Sequence, residues 1–228
     1  ASNSAGGGVA YGSLVTPANF GSGGGGASGG AGGGLLVVDA GANGAVTVDG
    51  LVSANGGNGA TGSFGGGSGG SIRIRCGSLL MSSGGVVSAN GGTGTGTGGG
   101  GSGGRISVVA STTITLAVST SNVQTRGGAS SGGGVFGGAG TYYSSQSGGA
   151  TVTVTVDNTG ATYSPTLPST VGALVAAHES TTALTNELST IGTLIVSGKA
   201  LVVVNVSLTV GTLAGDATSY MHLYGSST

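Results

Sequence analysis

The feature that most constrains this chain is an internal repeat of about 35 residues. The motif Gly65–Ile72, GGGSGGSI, returns 34 positions later as GGGSGGRI at Gly99–Ile106. A second motif, VSANGG at Val52–Gly57, returns 35 positions later at Val87–Gly92. A unit this short cannot enclose a core alone, so its copies are expected to stack and bury one continuous apolar interior.

Two looser copies extend the repeat in both directions. An earlier one leads from Ser28-Gly29-Gly30 into Leu35-Leu36-Val37-Val38, and a degenerate third copy of the second motif begins at Val123. The repeat therefore covers most of the first 156 residues.

Each unit contains short segments in which apolar and polar residues alternate, followed by a glycine tract. In one unit, Ile72 to Cys76, Leu79 to Met81 and Val86 to Ala89 have the period of two that is typical of strands. Three strands per unit predict one turn of a three-sided β-helix, with ladder hydrogen bonds running between equivalent strands of successive units. Glycine is expected where the chain turns with positive φ or where loop backbones pack together, so the loops are expected to be ordered.

Composition argues against several other classes of protein. Of 228 residues, 56 are glycine and only 11 are Lys, Arg, Asp or Glu, with a net charge of −1. Such glycine content is common in disordered chains, but alternating runs such as Thr151–Val156 favour strands. The few charges give no footprint for nucleic acid. The most apolar stretch, Leu194 to Ala214, is interrupted by polar residues, so no membrane insertion is predicted.

The sequence predicts an all-β chain, a parallel β-helix or β-solenoid with long glycine-rich loops, followed by a shorter β-rich C-terminal region. The predicted units are residues 1–156 with the 35-residue repeat, a linker or turn at 157–170, and a solenoid-like continuation or cap at 171–228. The linker contains Pro165 and Pro168. In the last unit Ile191–Leu194 recurs 19 positions later as Val210–Leu213, and Val171–Leu188 is a weak helix candidate whose threonines disfavour a helix.

These repeats resemble the glycine-rich, β-helix-like repeat regions of large secreted and cell-surface proteins of protists and plants. The resemblance rests on Tyr11-Gly12-Ser13 with Pro17 and Phe20–Gly24, on the GGGSGG and SANGG blocks, and on Gly137–Tyr142, and it covers roughly residues 6 to 143. It implies an extracellular β-helix module and brings no catalytic residues.

Three polar positions and one cysteine are the candidates for special roles. Asn55 and Asn90 occupy one repeat position and predict a structural asparagine ladder, which is expected to end where Arg126 takes that place. Asn205 begins the sequon Asn-Val-Ser, a possible N-glycosylation site. The single Cys76 shares the parity of Ile72 and Ile74, which predicts a buried thiol. No cofactor or metal is expected.

Patterns that match catalytic motifs are better explained by the repeat. G-x-S-x-G occurs at 26–30, 66–70 and 100–104, and three copies in one repeat indicate turns rather than nucleophiles. The adjacent His178-Glu179 pair has no evident third partner. Asp39, Asp49 and Arg73 could meet in the folded chain as in pectin-cleaving β-helix enzymes, but no acidic cluster is visible. An enzyme is therefore not expected.

We expect an extracellular structural protein that is a subunit or segment of a filament or surface coat. It is expected to associate by β-solenoid stacking, either with other copies of itself or with neighbouring segments of the same long chain. The alternatives are an adhesive module for glycans or ice, suggested by the threonine row Thr151, Thr153 and Thr155, and a carbohydrate-active β-helix enzyme.

Overall fold

A computed structural model describes residues 12–116, 122–149, 151–157, 190–198, 201–204, 208–217 and 219–223. In these ranges the chain is all-β, with no α-helix, and the predicted fold class is confirmed. The strands are β1 Leu35–Asp39, β2 Ala45–Val48, β3 Leu51–Ser53, β4 Ser71–Met81, β5 Val86–Ser88, β6 Arg105–Leu116, β7 Val123–Gln124, β8 Thr141–Gln146, β9 Thr151–Asp157, β10 Thr190–Ser197, β11 Leu201–Val204, β12 Thr209–Gly215 and β13 Tyr220–Leu223.

Equivalent strands of the 35-residue repeat stack in parallel, coil on coil. One sheet runs β1-β4-β6-β8, with β2 also paired to β4, and a second sheet runs β3-β5-β7. Ile72 of β4 pairs with Ile106 of β6, and Val87 of β5 pairs with Val52 and Val123 on its two sides. The registers are those of the sequence repeat, because equivalent apolar residues then form columns inside the coil.

In the second and third coils, two of the three predicted strands form one continuous strand, β4 or β6, whereas β1 and β2 of the first coil are separate. β4 runs through Gly77, and its register with β6 shifts between Cys76 and Ser78. A Cβ on Gly77 would lie 2.7 Å from the carbonyl oxygen of Ala42. Even-numbered residues face inward before the shift, as the buried Ile74 and Cys76 show. Odd-numbered residues face inward after it, as the buried Leu79 and Met81 show.

The interior between the two sheets is a single apolar cluster. Buried residues of β4, β6, β5 and β7 form most of it, together with Val48 and Ala54 of the first coil and Tyr142 of β8, and partly buried residues of β1, β2, β3 and β6 pack against it. Its members with less than 2% exposure include Ile72, Cys76, Met81, Val87 and Ile106. This core joins the strands and fixes where each glycine tract begins and ends.

The glycine tracts are not irregular loops. In the 65–70 segment, successive residues donate backbone hydrogen bonds to three different neighbouring segments, and the same order of neighbours returns after three residues. The six bonds, 2.7 to 3.0 Å long, are Gly65 N to Gly25 O, Gly66 N to Gly99 O, Gly67 N to Gly57 O, Ser68 N to Ser22 O, Gly69 N to Ser102 O and Gly70 N to Ala54 O. A period of three with no internal hydrogen bonds is that of the polyproline II helix. We call this array the glycine bundle: segments 21–25, 29–34, 54–59, 64–70, 89–94, 98–104, 125–129 and 134–140.

The bundle has two main layers and one peripheral segment. Segments 29–34, 64–70, 98–104 and 134–140 form one layer, and segments 54–59, 89–94 and 125–129 form the other. The peripheral 21–25 segment lies on the outer side of the first layer. Four tight turns reverse the chain, and each contains a glycine with positive φ: Gly26, Gly62, Gly96 and Gly133.

The chain direction reverses at the end of the first solenoid. β8 and β9 form an antiparallel hairpin around a 3-10 turn at Ser147–Gly149, and β9, β10 and β12 are then parallel to one another. Ile191 pairs with Val210 and Leu194 with Leu213, so the 19-residue repeat also stacks in register. A second apolar cluster, including Val154, Ile191 and Leu194, lies inside this part. Of the linker predicted at 157–170, Asp157 ends β9. The rest of that linker and the helix candidate Val171–Leu188 lie outside the described residues.

Candidate functional site

The two asparagines of the repeat lie on the outer side of the second bundle layer. Oδ1 of Asn55 accepts a hydrogen bond of 2.7 Å from the backbone N–H of Asn90, and Oδ1 of Asn90 accepts one of 2.8 Å from the N–H of Arg126. Nδ2 of Asn90 also donates to Oε1 of Gln124 at 3.0 Å. Each asparagine thus satisfies an outward N–H of the next coil, and the series ends at Arg126, which has no acceptor atom to continue it.

A further asparagine, which sequence reasoning missed, repeats this arrangement one helical turn along. Oδ1 of Asn58 accepts from the N–H of Thr93 at 2.8 Å. The signal was present as Asn55-x-x-Asn58, because three residues form one turn of this helix. The outer face of this layer is therefore closed by side chains rather than by another glycine segment.

Two of the G-x-S-x-G serines, Ser68 and Ser102, belong to the glycine bundle, and the third, Ser28, lies in the turn before segment 29–34. Oγ of Ser68 donates to the carbonyl oxygen of Ser22 at 3.1 Å and accepts from the N–H of Ser22 at 3.0 Å. A nucleophile elbow requires a turn from a strand into a helix with a histidine in reach. Ser68 instead sits in the middle of an extended glycine segment, where its hydroxyl binds a peptide backbone.

The three residues considered for carbohydrate chemistry are not assembled as an acid–base pair. Nη1 of Arg75, not Arg73, lies 3.4 Å from Oδ2 of Asp39, and both side chains are about half exposed. The N–H of Gly41 lowers the pKa of Asp39, as do the charges of Arg75 and Arg73, against the opposing effect of desolvation. Asp39 is thus held as an ionised carboxylate in solvent, which does not suit a general acid.

Asn205 and the His178-Glu179 pair lie outside the described residues. Cys76 lies in the first apolar core, and desolvation raises the pKa of its thiol. Within the described ranges no three His, Cys, Asp or Glu side chains come together as metal ligands could.

A shallow groove lies where the two solenoids meet, on the face of the β8–β9 hairpin that carries Tyr142 and continues the interior side of the first solenoid. Its volume is about 190 Å³. Thr151, Thr153 and Thr155, the predicted threonine row, form one wall. The other lining residues are Ile114, Leu116, Tyr142, Ser144, Gln146 and Ile195. Tyr142 is buried, which raises the pKa of its phenol against the lowering effect of a hydrogen bond with Ser144.

The groove depends on the pairing of β8 with β9, which the sequence did not predict. Tyr142 pairs with Thr155 and Ser144 with Thr153, which places hydroxyl groups on neighbouring strands. The threonine row also continues across the sheet, from Thr153 to Thr193 and Thr212. Thr155 is only 9% exposed, so the row borders a concave surface rather than forming a flat face.

Comparison with protein-family models, with curated proteins and with solved structures found no match. None of the described elements is a helix long and apolar enough to span a bilayer.

Proposed function

We propose that this chain is an extracellular structural protein, a subunit or segment of a filament or surface coat, that assembles by stacking one solenoid coil on another. One observation carries the proposal: the first coil, β1 to β3, has no neighbour on its outer side in the described part of the chain. Its three strands pair only with β4 and β5, which belong to the next coil.

The exposure of equivalent apolar residues marks this coil as an open end. Leu36 and Ile72 occupy the same column, but Leu36 is 38% exposed and Ile72 is fully buried. Val52 of β3, which faces the same interior, is only partly buried, whereas its partner Val87 is buried. The difference arises because Ile72 has a coil on both sides and Leu36 on only one. An added coil would bury this apolar surface and pair the free backbone groups.

The open end also lacks the devices that usually prevent edge pairing. Asp39 and Asp49 are the only charged residues between Leu35 and Ser53, and no lysine or proline occurs there. The charge of Asp39 is balanced by Arg75 of the second coil, whose Nη1 lies 3.4 Å from Oδ2 of Asp39. Little electrostatic repulsion therefore opposes the approach of a second coil.

The test is a lysine substitution at the open end. Leu36→Lys should weaken association about tenfold or more, because it removes the burial of one leucine and places a charge in the contact. Leu80→Lys is the control for adding a lysine at a similarly exposed leucine, because Leu80 is 44% exposed and lies on the outward side of the second coil, between the buried Leu79 and Met81. Sedimentation velocity and negative-stain electron microscopy over a range of concentrations would measure assembly.

The proposal predicts concentration-dependent oligomers or filaments for the native protein and for Leu80→Lys, and smaller species for Leu36→Lys. Strictly monomeric native protein at high concentration would refute it. Equal assembly of both variants would also refute it, because the contact would then lie elsewhere.

A second candidate, a binding module for small glycans, is favoured by the groove on the β8–β9 hairpin. Hydroxyl and amide groups beside a tyrosine ring suit a sugar, and 190 Å³ suits one ring rather than a chain. A glycan array would test it, with Thr153→Val as the variant that removes one hydroxyl from the wall. Absence of any hit, or hits unchanged in the variant, would reject this candidate.

A further inference from the structure

The glycine bundle contains a second strand-binding notch equivalent to the one that the 21–25 segment fills. The filled notch lies between segments 29–34 and 64–70. On one side Gly21 and Gly24 donate to the carbonyl oxygens of Gly33 and Gly30, both at 2.8 Å. The notch therefore presents two acceptors to the bound strand.

On the other side of the filled notch, segment 64–70 supplies donors. The N–H groups of Gly65 and Ser68 donate to the carbonyl oxygens of Gly25 and Ser22, both at 2.9 Å. Oγ of Ser68 adds its pair of bonds to the backbone of Ser22. Glycine is required in the bound strand, because a Cβ on Gly24 would overlap the carbonyl group of Gly65.

The same set of groups recurs one coil later, between segments 64–70 and 98–104. By repeat position, Gly66 and Gly69 correspond to the acceptors Gly30 and Gly33, and Gly99 and Ser102 correspond to the donors Gly65 and Ser68. In the described part of the chain the carbonyl oxygens of Gly66 and Gly69 accept no hydrogen bond, although both residues are buried. The N–H groups of Gly99 and Ser102 likewise have no acceptor there.

The outer side of this second notch is also sterically open. A Cβ on Gly65 would lie 2.9 Å from the backbone nitrogen of Gly25, whereas a Cβ on Gly99 would meet nothing closer than the carbonyl oxygen of Val135 at 3.2 Å. Two carbonyl oxygens and two N–H groups without a protein partner, at the repeat positions that hold segment 21–25 in the filled notch, indicate a site for a strand.

We propose that the notch between segments 64–70 and 98–104 binds an extended glycine–serine strand in the polyproline II conformation. The occupant donates two N–H groups to Gly66 and Gly69 and accepts from Gly99 and Ser102. Its serine is held by the hydroxyl of Ser102, as Ser22 is held by Ser68. This surface is distinct from the open coil end, so the inference does not depend on the proposed stacking.

A synthetic peptide with the sequence of residues 19–26, NFGSGGGG, is the probe. Titration of the ¹⁵N-labelled full chain should shift the amide signals of Gly99 and Ser102 and slow their hydrogen exchange. Ser102→Ala should reduce the affinity about tenfold, because two hydrogen bonds to the peptide backbone are lost. Ser68→Ala is the matched control and should leave the affinity unchanged.

A peptide with alanine in place of the glycine equivalent to Gly24 should fail to bind, because the added methyl group meets the backbone of segment 98–104. Circular dichroism of both serine variants would verify that they fold. The proposal is overturned if the peptide does not perturb Gly99 and Ser102. It is also overturned if Ser68→Ala weakens binding and Ser102→Ala does not, since the peptide would then be replacing segment 21–25 in its own notch.

Discussion

Gly101→Ala should destabilise the glycine bundle by more than the addition of one methyl group usually does. Gly101 lies in the middle of segment 98–104 and is buried. A Cβ there would overlap the carbonyl group of Gly67 and lie 2.9 Å from the nitrogen of Ser68, and contacts below 3.0 Å essentially never occur for real Cβ atoms. The obstacle is backbone, so no side-chain rotation can relieve it.

The magnitude follows from what must move. Segments 64–70 and 98–104 would have to separate by roughly 1 Å, a shift that close-packed interiors resist. Overpacking alone costs about 1–3 kcal/mol. The separation also disturbs the bonds that Gly101 makes with Gly92 and Gly128, at 2.9 and 2.8 Å, each worth about 1 kcal/mol. We therefore expect the free energy of unfolding to fall by about 3 kcal/mol or more. This is a large share of the total, which is about 5–15 kcal/mol for a typical single domain.

Gly34→Ala is the matched control, because a Cβ on Gly34 meets nothing within 4 Å and its φ is not positive. It should leave stability unchanged or raise it by up to about 1 kcal/mol, through the lower entropy of the unfolded chain. Denaturant titration followed by circular dichroism gives both values from the midpoint and slope. If both variants lay within about 0.5 kcal/mol of the native protein, the bundle could not be packed as described.

Two further predictions concern single side chains. Asn90→Ala should lower the free energy of unfolding by about 1–2 kcal/mol in thermal or chemical denaturation, because the N–H of Arg126 loses its acceptor. The same change at the exposed turn residue Asn43 should have almost no effect. Equal effects of the two substitutions would contradict the role of Asn90 as the acceptor for that N–H. Cys76 should not react with a thiol reagent such as DTNB in the native protein and should react only on unfolding, since it is fully buried and burial raises the pKa of its thiol. Reaction of the native protein at the rate of a free thiol would refute this placement of Cys76.

Side-chain repeats predicted the strand stack because each strand carries its register in its apolar residues. Ile72 lies beside Ile106, and Val52 beside Val87, at the spacings read from the sequence. The same holds for Ile191 and Val210. A slip of one residue would turn every inward side chain outward, so these columns leave little choice.

The glycine bundle could not be predicted in the same way, because glycine has no side chain to show a period. Its threefold order is carried by backbone N–H and C=O groups, which every residue possesses. Only rare non-glycine residues reveal it, such as Asn55 and Asn58, whose spacing of three places both on one face. The groove at the hairpin escaped for another reason: the reversal between β8 and β9 depends on a turn containing Ser147, whose positive φ is unusual for a residue with a side chain.

The bundle and the apolar core depend on each other. Ordering one residue's backbone costs about 1–2 kcal/mol, and one backbone hydrogen bond returns about 0.5–1.5 kcal/mol, so a glycine segment with one bond per residue is close to balance at best. The strands lower the entropic cost of ordering the glycine segments by fixing both ends of each pair of segments. Segment 54–59 follows β3 directly, and segment 64–70 leads directly into β4. The remaining chain between the two is then short, and the entropy of closing it is small. This explains how tracts with the composition of flexible linkers form a close-packed array, and why the repeat keeps its strands and its glycine tracts in one unit.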